Sequence, residues 1–323
     1  MSKYSKIYFI GIGGIGMSAI ARYYKFKGYP VAGYDRTPSD LTHALEKEGI
    51  DIHYKDDPDY IPKDVASTLV VYTPAIPADL QELVYVREHG YTLVKRSRML
   101  GELAEGQTCL AVAGTHGKTT TSTLVAHILT ESGKGCSAFL GGISKNYDTN
   151  LLTSHTPTIV AEADEFDRSF LQLHPAIAAI TAMDADHLDI YGTLEEYQKA
   201  FKEFASQVSR TLIVKYGLDI TADDTKARIL SYSYDNPSAD YHAANAKPDE
   251  VGHYIFDLVY PGGVIENIRV GIPGWVNVEN SVAAAAVCLC HGVSPEAVKE
   301  YLSISPVMAD RLIGKYIKTI QNR

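Results

Sequence analysis

Gly114-Thr115-His116-Gly117-Lys118-Thr119-Thr120 stands between an apolar run, Thr108 to Ala113, and a run with helical spacing, Ser122 to Ser132. A strand, a glycine-bearing turn and a helix in that order put backbone N–H groups at a helix N-terminus, where the dipole favours an anion. The ending Gly-Lys-Thr is that of a phosphate loop, although Val112 stands where the usual spacing puts the upstream glycine. In such a loop the N–H groups cradle the β- and γ-phosphates of a nucleotide. Lys118 would neutralise their charge and the Thr119 hydroxyl would ligate Mg2+.

Two acidic segments follow at strand ends. Glu162-Ala-Asp164-Glu165-Phe-Asp167 comes after the strand Thr158 to Ala161, and Asp184-Ala-Asp186-His187-Leu-Asp189 after Ala176 to Thr181. In open α/β sheets ligands bind beyond the carboxyl ends of strands, where one or two carboxylates can hold Mg2+ beside a nucleotide. Glu162, first after its strand, is expected to take that role. Glu165 and Asp189 read as solvated loop residues. His187 sits at a strand end beside acids, and its spacing fits a metal ligand and a structural histidine equally.

Upstream, Lys6 to Ile10 reads as a strand and Ile15 to Lys27 as a helix, with Gly11-x-Gly13-x-x-Gly16 joining them. Asp35 closes the next strand, Val31 to Tyr34, 19 residues after Gly16. Glycines there let the backbone approach a diphosphate, and an acid at that position can hold a ribose hydroxyl. The ligand could be NAD or another nucleotide diphosphate. The lysine-bearing loop downstream has no place in a nicotinamide dehydrogenase, which weakens the hydride-transfer reading.

Strands also fall at Thr68 to Tyr72, Tyr91 to Lys95 and Leu212 to Lys215, and a hairpin surrounds Pro261-Gly262-Gly263. Helices fall at Asp79 to His89, Leu194 to Val208, Val278 to His291 and Pro295 to Leu302. The alternation predicts an α/β chain with a doubly wound parallel sheet, then a second α/β unit. The boundary is placed near Glu102 to Gln107, giving domains 1–105 and 106–303 and a tail 304–323.

Composition sets the outer limits. The 323 residues carry 30 basic and 39 acidic side chains, a net charge of −9. That balance argues against a general nucleic-acid binder. The longest strongly apolar stretch, Val282 to Cys290, is nine residues, while a membrane-spanning helix needs about 20, so no membrane insertion is expected. The apolar start is broken at once by Gly11, Gly13 and Gly14, so no signal peptide is read. The cysteines Cys109, Cys136, Cys288 and Cys290 show neither disulfide nor zinc spacing, and a cytoplasmic location is the default.

Together these residues resemble the Mur ligase family, ATP-dependent enzymes that add amino acids to the peptidoglycan precursor. The segment 114–121 resembles the family's phosphate loop. Glu162-Ala163-Asp164-Glu165 with Ser169-Phe170-Leu171 resembles its magnesium-binding acid segment, and Asp186-His187-Leu188-Asp189 its metal-binding histidine segment. Asn277-x-x-Asn280 before alanines resembles its adenine-contacting helix start. The motifs run in family order from about Lys6 to about Leu302. The N-terminal Gly11-Ile-Gly-Gly-Ile-Gly-Met17-Ser18 is the most discriminating and points to the branch that joins L-alanine to UDP-N-acetylmuramate.

The resemblance implies a Rossmann-like UDP-sugar-binding domain followed by a P-loop ATPase-type central domain. It implies that Gly114, Thr115, His116, Gly117, Lys118, Thr119, Thr120, Asn277 and Asn280 bind ATP. Thr119 and Glu162 would hold one Mg2+ and His187 a second, with Lys118, Glu162 and His187 catalytic. Gly11, Gly13, Gly14, Ile15, Gly16, Met17, Asp35 and Thr73 would hold the UDP-sugar diphosphate rather than NAD. Ala182 departs from the asparagine of many relatives. Phe201 occupies the position of a carbamylated lysine in some, so that modification is not expected. The family's third domain, which carries the amino-acid site, has no counterpart in 304–323. The chain is therefore expected to bind UDP-N-acetylmuramate but to ligate it poorly.

Overall fold

The computed structural model describes residues 3–144, 147–186, 188–250 and 252–303. The chain divides into two compact units, Met1–Leu103 and Ala104–Arg323.

The first unit is built on five parallel strands: β1 (Lys6–Ile10), β2 (Val31–Tyr34), β3 (Asp51–His53), β4 (Thr68–Tyr72) and β5 (Thr92–Lys95), in the order β3-β2-β1-β4-β5. Its helices are α1 (Ile15–Phe26), α2 (Asp40–Lys47) and α3 (Gln81–Glu88). α4 (Arg96–Ala104) follows β5 and ends at the unit boundary. β1 is central because nearly all of it is apolar; Ile7, Tyr8, Phe9 and Ile10 are buried, as a strand flanked on both sides and covered on both faces requires. Chain order reverses between β1 and β4, which opens a crevice at their carboxyl ends. α2 was not visible in the hydrophobic pattern. Its start is fixed by a capping box between Ser39 and Thr42, which satisfies first-turn N–H groups that no carbonyl can reach.

The second unit holds a ten-stranded sheet, order β15-β14-β13-β12-β11-β10-β6-β9-β7-β8. In chain order these are β6 (Thr108–Ala113), β7 (Ser137–Ser144), β8 (Thr149–Leu152), β9 (Thr158–Ala163), β10 (Ile177–Ile180), β11 (Thr211–Lys215), β12 (Arg228–Ser233), β13 (Tyr241–Pro248), β14 (Tyr254–Tyr260) and β15 (Gly263–Val270). The seven from β13 to β7 run parallel, and β8, β14 and β15 are antiparallel additions at the edges. The helices are α5 (Lys118–Glu131), α6 (Leu188–Tyr191), α7 (Leu194–Ser206), α8 (Trp275–Cys290) and α9 (Pro295–Leu302). α5 and α8 share one buried core with Leu110, Val160 and Ile177 of the sheet. The run Ala283–Ala286 is fully buried; small side chains let α8 approach its neighbours closely. No helix among the described residues is long and apolar enough to cross a membrane.

The α/β class and the parallel first sheet match the sequence reading. Two boundary differences bear on the site. α5 begins at Lys118, not Ser122, so the lysine lies in the first helical turn. β9 runs on to Ala163, so Glu162 is inside the strand, paired in register with Val112.

Candidate functional site

In the second unit, β6 has β9 on one side and β10 on the other. The loop 114–117 leaves β6 at this switch point. Gly117 caps α5 in a left-handed conformation at φ 83°, and a Cβ there would lie 2.5 Å from Asn280 Oδ1. Glycine is therefore required twice over, by backbone conformation and by space. Thr181, just beyond β10, donates from its hydroxyl to the carbonyls of Ala113 and His116. The Thr115 hydroxyl donates to the Asp184 carbonyl at 3.1 Å, and the Thr115 N–H to the Ala182 carbonyl at 3.2 Å. The loop is thus braced from the β10 side. Ala182 supplies only its backbone, so the absent asparagine side chain leaves this brace intact.

Lys118 Nζ donates to the Gly114 carbonyl at 2.7 Å and to Glu165 Oε1 at 2.8 Å. The Thr119 hydroxyl donates to Glu162 Oε1 at 3.0 Å, and Glu162 Oε2 accepts the Gly141 N–H at 3.0 Å. Burial pushes the Glu162 carboxyl above its ordinary range, and the Thr119 hydroxyl, the Lys118 charge and the Gly141 amide pull it back. A hydroxyl and one carboxylate oxygen facing each other at a helix N-terminus are the protein's usual share of a Mg2+ shell, the remainder being water and phosphate. The donor set therefore fits magnesium. No group of three or more acidic, histidine or cysteine side chains that could hold a metal occurs among the described residues. His187 lies outside the described residues.

Glu165 corrects the sequence expectation. It is not a solvated loop residue; it is 1% exposed and ion-paired to Lys118. The cause lies in the turn that follows. Asp167 (φ 52°) and Arg168 (φ 55°) both adopt the left-handed region, which carries a cost of about 1–2 kcal/mol for each residue with a Cβ. Arg168 N–H donates to the Glu165 carbonyl at 3.0 Å, Tyr191 OH donates to the same carbonyl at 2.5 Å, and the Arg168 guanidinium lies over the Tyr191 ring. The chain folds back sharply and tucks the glutamate inward. Asp189 is exposed, as expected.

The remaining second-unit candidates divide. Thr120 is half-buried in the first turn of α5, and His116 is exposed, 4.0 Å from Asp184 Oδ2. Asn280 is buried against Gly117. Asn277 lies one turn earlier on α8 and donates its amide to the Pro273 carbonyl at 2.8 Å. Trp275, the first residue of α8, is 50% exposed and leans on Tyr234 with ring centroids 5.7 Å apart. Phe201 is fully buried against Phe170 and Tyr197. The neighbouring Lys202 is engaged by Asp219 and Asp224.

In the first unit the glycine loop sits at the β1/β4 crevice. Gly11 (φ 86°) lies close to Thr73, whose Cγ2 would be 3.0 Å from a Cβ. Gly11 and Ile12 donate their N–H groups to the Tyr34 carbonyl, and Gly14 to that of Gly11. Gly13 donates to Asp35 Oδ2 at 2.7 Å, and Thr37 N–H to Asp35 Oδ1 at 3.2 Å. Asp35 therefore clamps the glycine loop, and both of its carboxylate oxygens accept hydrogen bonds. Ile15 and Gly14 are exposed, whereas the Met17 side chain is 1% exposed and offers a ligand only its backbone. The amides left for an anion are those of the first turn of α1, at Gly16 and Met17. A residue that the sequence reading missed lies over this turn: Arg96 Nη1 would be 2.6 Å from a Cβ at Gly16. The available signal was a basic pair, Lys95-Arg96, at the carboxyl end of a parallel strand.

Residues 6–108 match the Mur ligase family, catalytic domain, and residues 112–288 the Mur ligase middle domain. A UDP-N-acetylmuramate–L-alanine ligase of Porphyromonas gingivalis is 50% identical over 301 residues, which are 91% of this chain and 66% of that protein. The protein of the same name from Flavobacterium johnsoniae is 44% identical over 308 residues, 94% of this chain and 66% of its own length. The chain thus spans just under two thirds of the length of these curated relatives. Among solved structures, UDP-N-acetylmuramate-alanine ligase of Thermotoga maritima aligns with a TM-score of 0.80 at 28% identity, covering 92% of this chain and 68% of that one. A UDP-N-acetylmuramate:L-alanyl-gamma-D-glutamyl-meso-diaminopimelate ligase from Neisseria meningitides has a TM-score of 0.82 at 23% identity, covering 94% and 98%; this likeness concerns the fold alone.

Proposed function

The chain belongs to the Mur ligase family, and from that premise we propose that it supplies the UDP-sugar-binding and ATP-binding parts of a cytoplasmic UDP-N-acetylmuramate–L-alanine ligase. One observation carries the chemical part of this reading: Lys118, Thr119 and Glu162 converge at the β6–α5 junction, with the Thr119 hydroxyl 3.0 Å from the carboxylate. Relatives at 50% identity carry the substrate part.

The reaction joins the lactyl carboxylate of UDP-N-acetylmuramate to the amine of L-alanine. The carboxylate attacks the γ-phosphorus of ATP, ADP departs and an acyl phosphate forms. The alanine amine then attacks the activated carbonyl and phosphate leaves. Two anions must approach each other, so the catalytic task is positioning and charge compensation. Lys118 supplies one positive charge at the phosphates. Thr119 and Glu162 would hold Mg2+, which offsets phosphate charge when bound. The loop amides and α5 would orient the triphosphate, and Asn277 and Asn280 would meet the adenine. In the first unit the amides of Gly16 and Met17, with Arg96 above them, suit the UDP diphosphate; Thr73 and the Asp35-clamped glycines shape the crevice. The product feeds peptidoglycan synthesis, and through it cell-wall biogenesis, cell shape and division.

Calorimetric titration of the chain with UDP-N-acetylmuramate and with Mg2+-ATP tests this, with NAD as control. Binding of both ligands, and Mg2+-dependent phosphate release from ATP when the UDP-sugar is added, is the expected result. NAD binding without UDP-sugar binding would sink it.

A further inference from the structure

We propose that Glu165 is an internal competitor of nucleotide phosphate: it is ion-paired to Lys118, and nucleotide binding exchanges one anion for another on the same ammonium. The inference deepens the ATP-binding reading and rests on it.

Four observations support the exchange. Lys118 has three donors, and two are already committed, to Gly114 O and Glu165 Oε1. Glu165 is 1% exposed, yet its second oxygen, Oε2, is buried with no hydrogen-bond partner among the described residues. A buried carboxylate with one oxygen unsatisfied costs free energy unless the arrangement serves something else. The backbone that presents it is fixed by two consecutive left-handed residues, Asp167 and Arg168, and by the Tyr191 hydroxyl, and strain of this kind persists where surrounding structure over-determines it. Finally, Glu162 is already engaged by Thr119 and Gly141, so the two glutamates have separate partners. Glu162 faces the hydroxyl suited to the cation, and Glu165 faces the cationic side chain suited to the anion.

A fixed negative charge beside the seat of a triphosphate repels it and competes for its lysine. Glu165 is then a positioning residue that keeps Lys118 aimed at the loop in the absence of nucleotide and lowers affinity for its phosphates. Neutralising it should tighten binding, and equally for any ligand with the same phosphates, because the effect does not involve the base.

The test compares the wild-type chain with Glu165→Gln by calorimetry, using Mg2+-ATP and inorganic tripolyphosphate as probes. Glu165→Asp is the second variant, since it keeps the charge but draws the carboxylate back from Nζ. Glu203→Gln, an exposed acid on α7, is the charge control. Circular dichroism and thermal unfolding check the fold. The expected result is binding of both probes at least fivefold tighter in Glu165→Gln, a smaller gain in the same direction in Glu165→Asp, and a change under twofold in Glu203→Gln. Unchanged or weaker binding in a folded Glu165→Gln chain overturns the exchange while leaving the phosphate-loop reading standing. Absence of probe binding in every chain, wild type included, overturns both.

Discussion

The two units use the same opening device, a parallel strand, a glycine-bearing loop and a helix N-terminus, and arm it differently. In the first unit the loop 11–16 carries no cation of its own, and the nearby carboxylate, Asp35, is consumed in clamping Gly13. Positive charge arrives from another strand end, through Arg96. In the second unit the cation is built into the first turn of α5 as Lys118, and the carboxylates Glu162 and Glu165 face Thr119 and the lysine. One loop is suited to hold a diphosphate as a fixed handle. The other is suited to hold a phosphate that is transferred, with a metal beside it. A glycine loop announces an anion; the placement of nearby acids separates a grip from a reaction centre.

The sharpest way to break this comparison is Lys118→Met. It removes the cation and strands a buried carboxylate, so Mg2+-ATP affinity should fall at least about a hundredfold, on the order of 3 kcal/mol. UDP-N-acetylmuramate affinity should stay within twofold, with both measured by calorimetry. The mirror experiment is Gly13→Ala. Its Cβ would lie 2.7 Å from Thr42 Cγ2 and 2.8 Å from Asp35 Oδ2, so the loop must shift. UDP-sugar affinity should drop about thirtyfold, about 2 kcal/mol, with ATP binding unaffected. Loss of both affinities in either variant would mean that the loops are not independent sites.

A smaller effect concerns stability. Glu82 is fully buried in the first unit, accepts the Tyr8 hydroxyl at 2.6 Å and lies 3.3 Å from His53 Nε2. Burial pushes its carboxyl up to about 7. The folded unit thus keeps a proton that the unfolded chain releases at lower pH. This contribution is complete below the ordinary carboxylate range and is lost as pH rises through about 7. Burial pushes the His53 imidazole the other way, against the nearby acids that raise it, which trims the slope. Hydrogen exchange in β1 should show about 1–2 kcal/mol lost between pH 5 and 8. Glu82→Gln should flatten that slope; an unchanged slope would show that Glu82 does not carry it. The smallest effect is expected of Asp35→Asn, which keeps one acceptor for the Gly13 N–H and should weaken UDP-sugar binding only about threefold, under 1 kcal/mol. A loss beyond tenfold would show that Asp35 meets the ligand directly, and the contrast between the loops would narrow.

Much of this was legible in the sequence because it rests on local rules. β2, β4, β6 and α9 fall where alternation and punctuation placed them, and the phosphate loop is readable from residue types alone. What was not legible depends on distant contacts. Glu165 reads as a solvated acid because nothing local reveals the left-handed pair behind it, or the tyrosine from α6 that holds it. Asp35 reads as a ribose ligand because its position fits one; its bond to Gly13 exists only once β1 and β2 lie side by side. β8 is an edge strand and β7 lies beside it, where less unbroken apolar character is needed, while β12 and the start of β13 bury only alternate side chains.

The exposed ring at the start of α8 has an optical consequence. Trp275 is the chain's single tryptophan among 22 tyrosines. Light from the red edge of the absorption band, where tyrosine is transparent, excites that residue alone. Its emission therefore reports on the start of α8 in the second unit, beside Asn277. Adding Mg2+-ATP, with no dye attached, would show whether the surroundings of that helix start change.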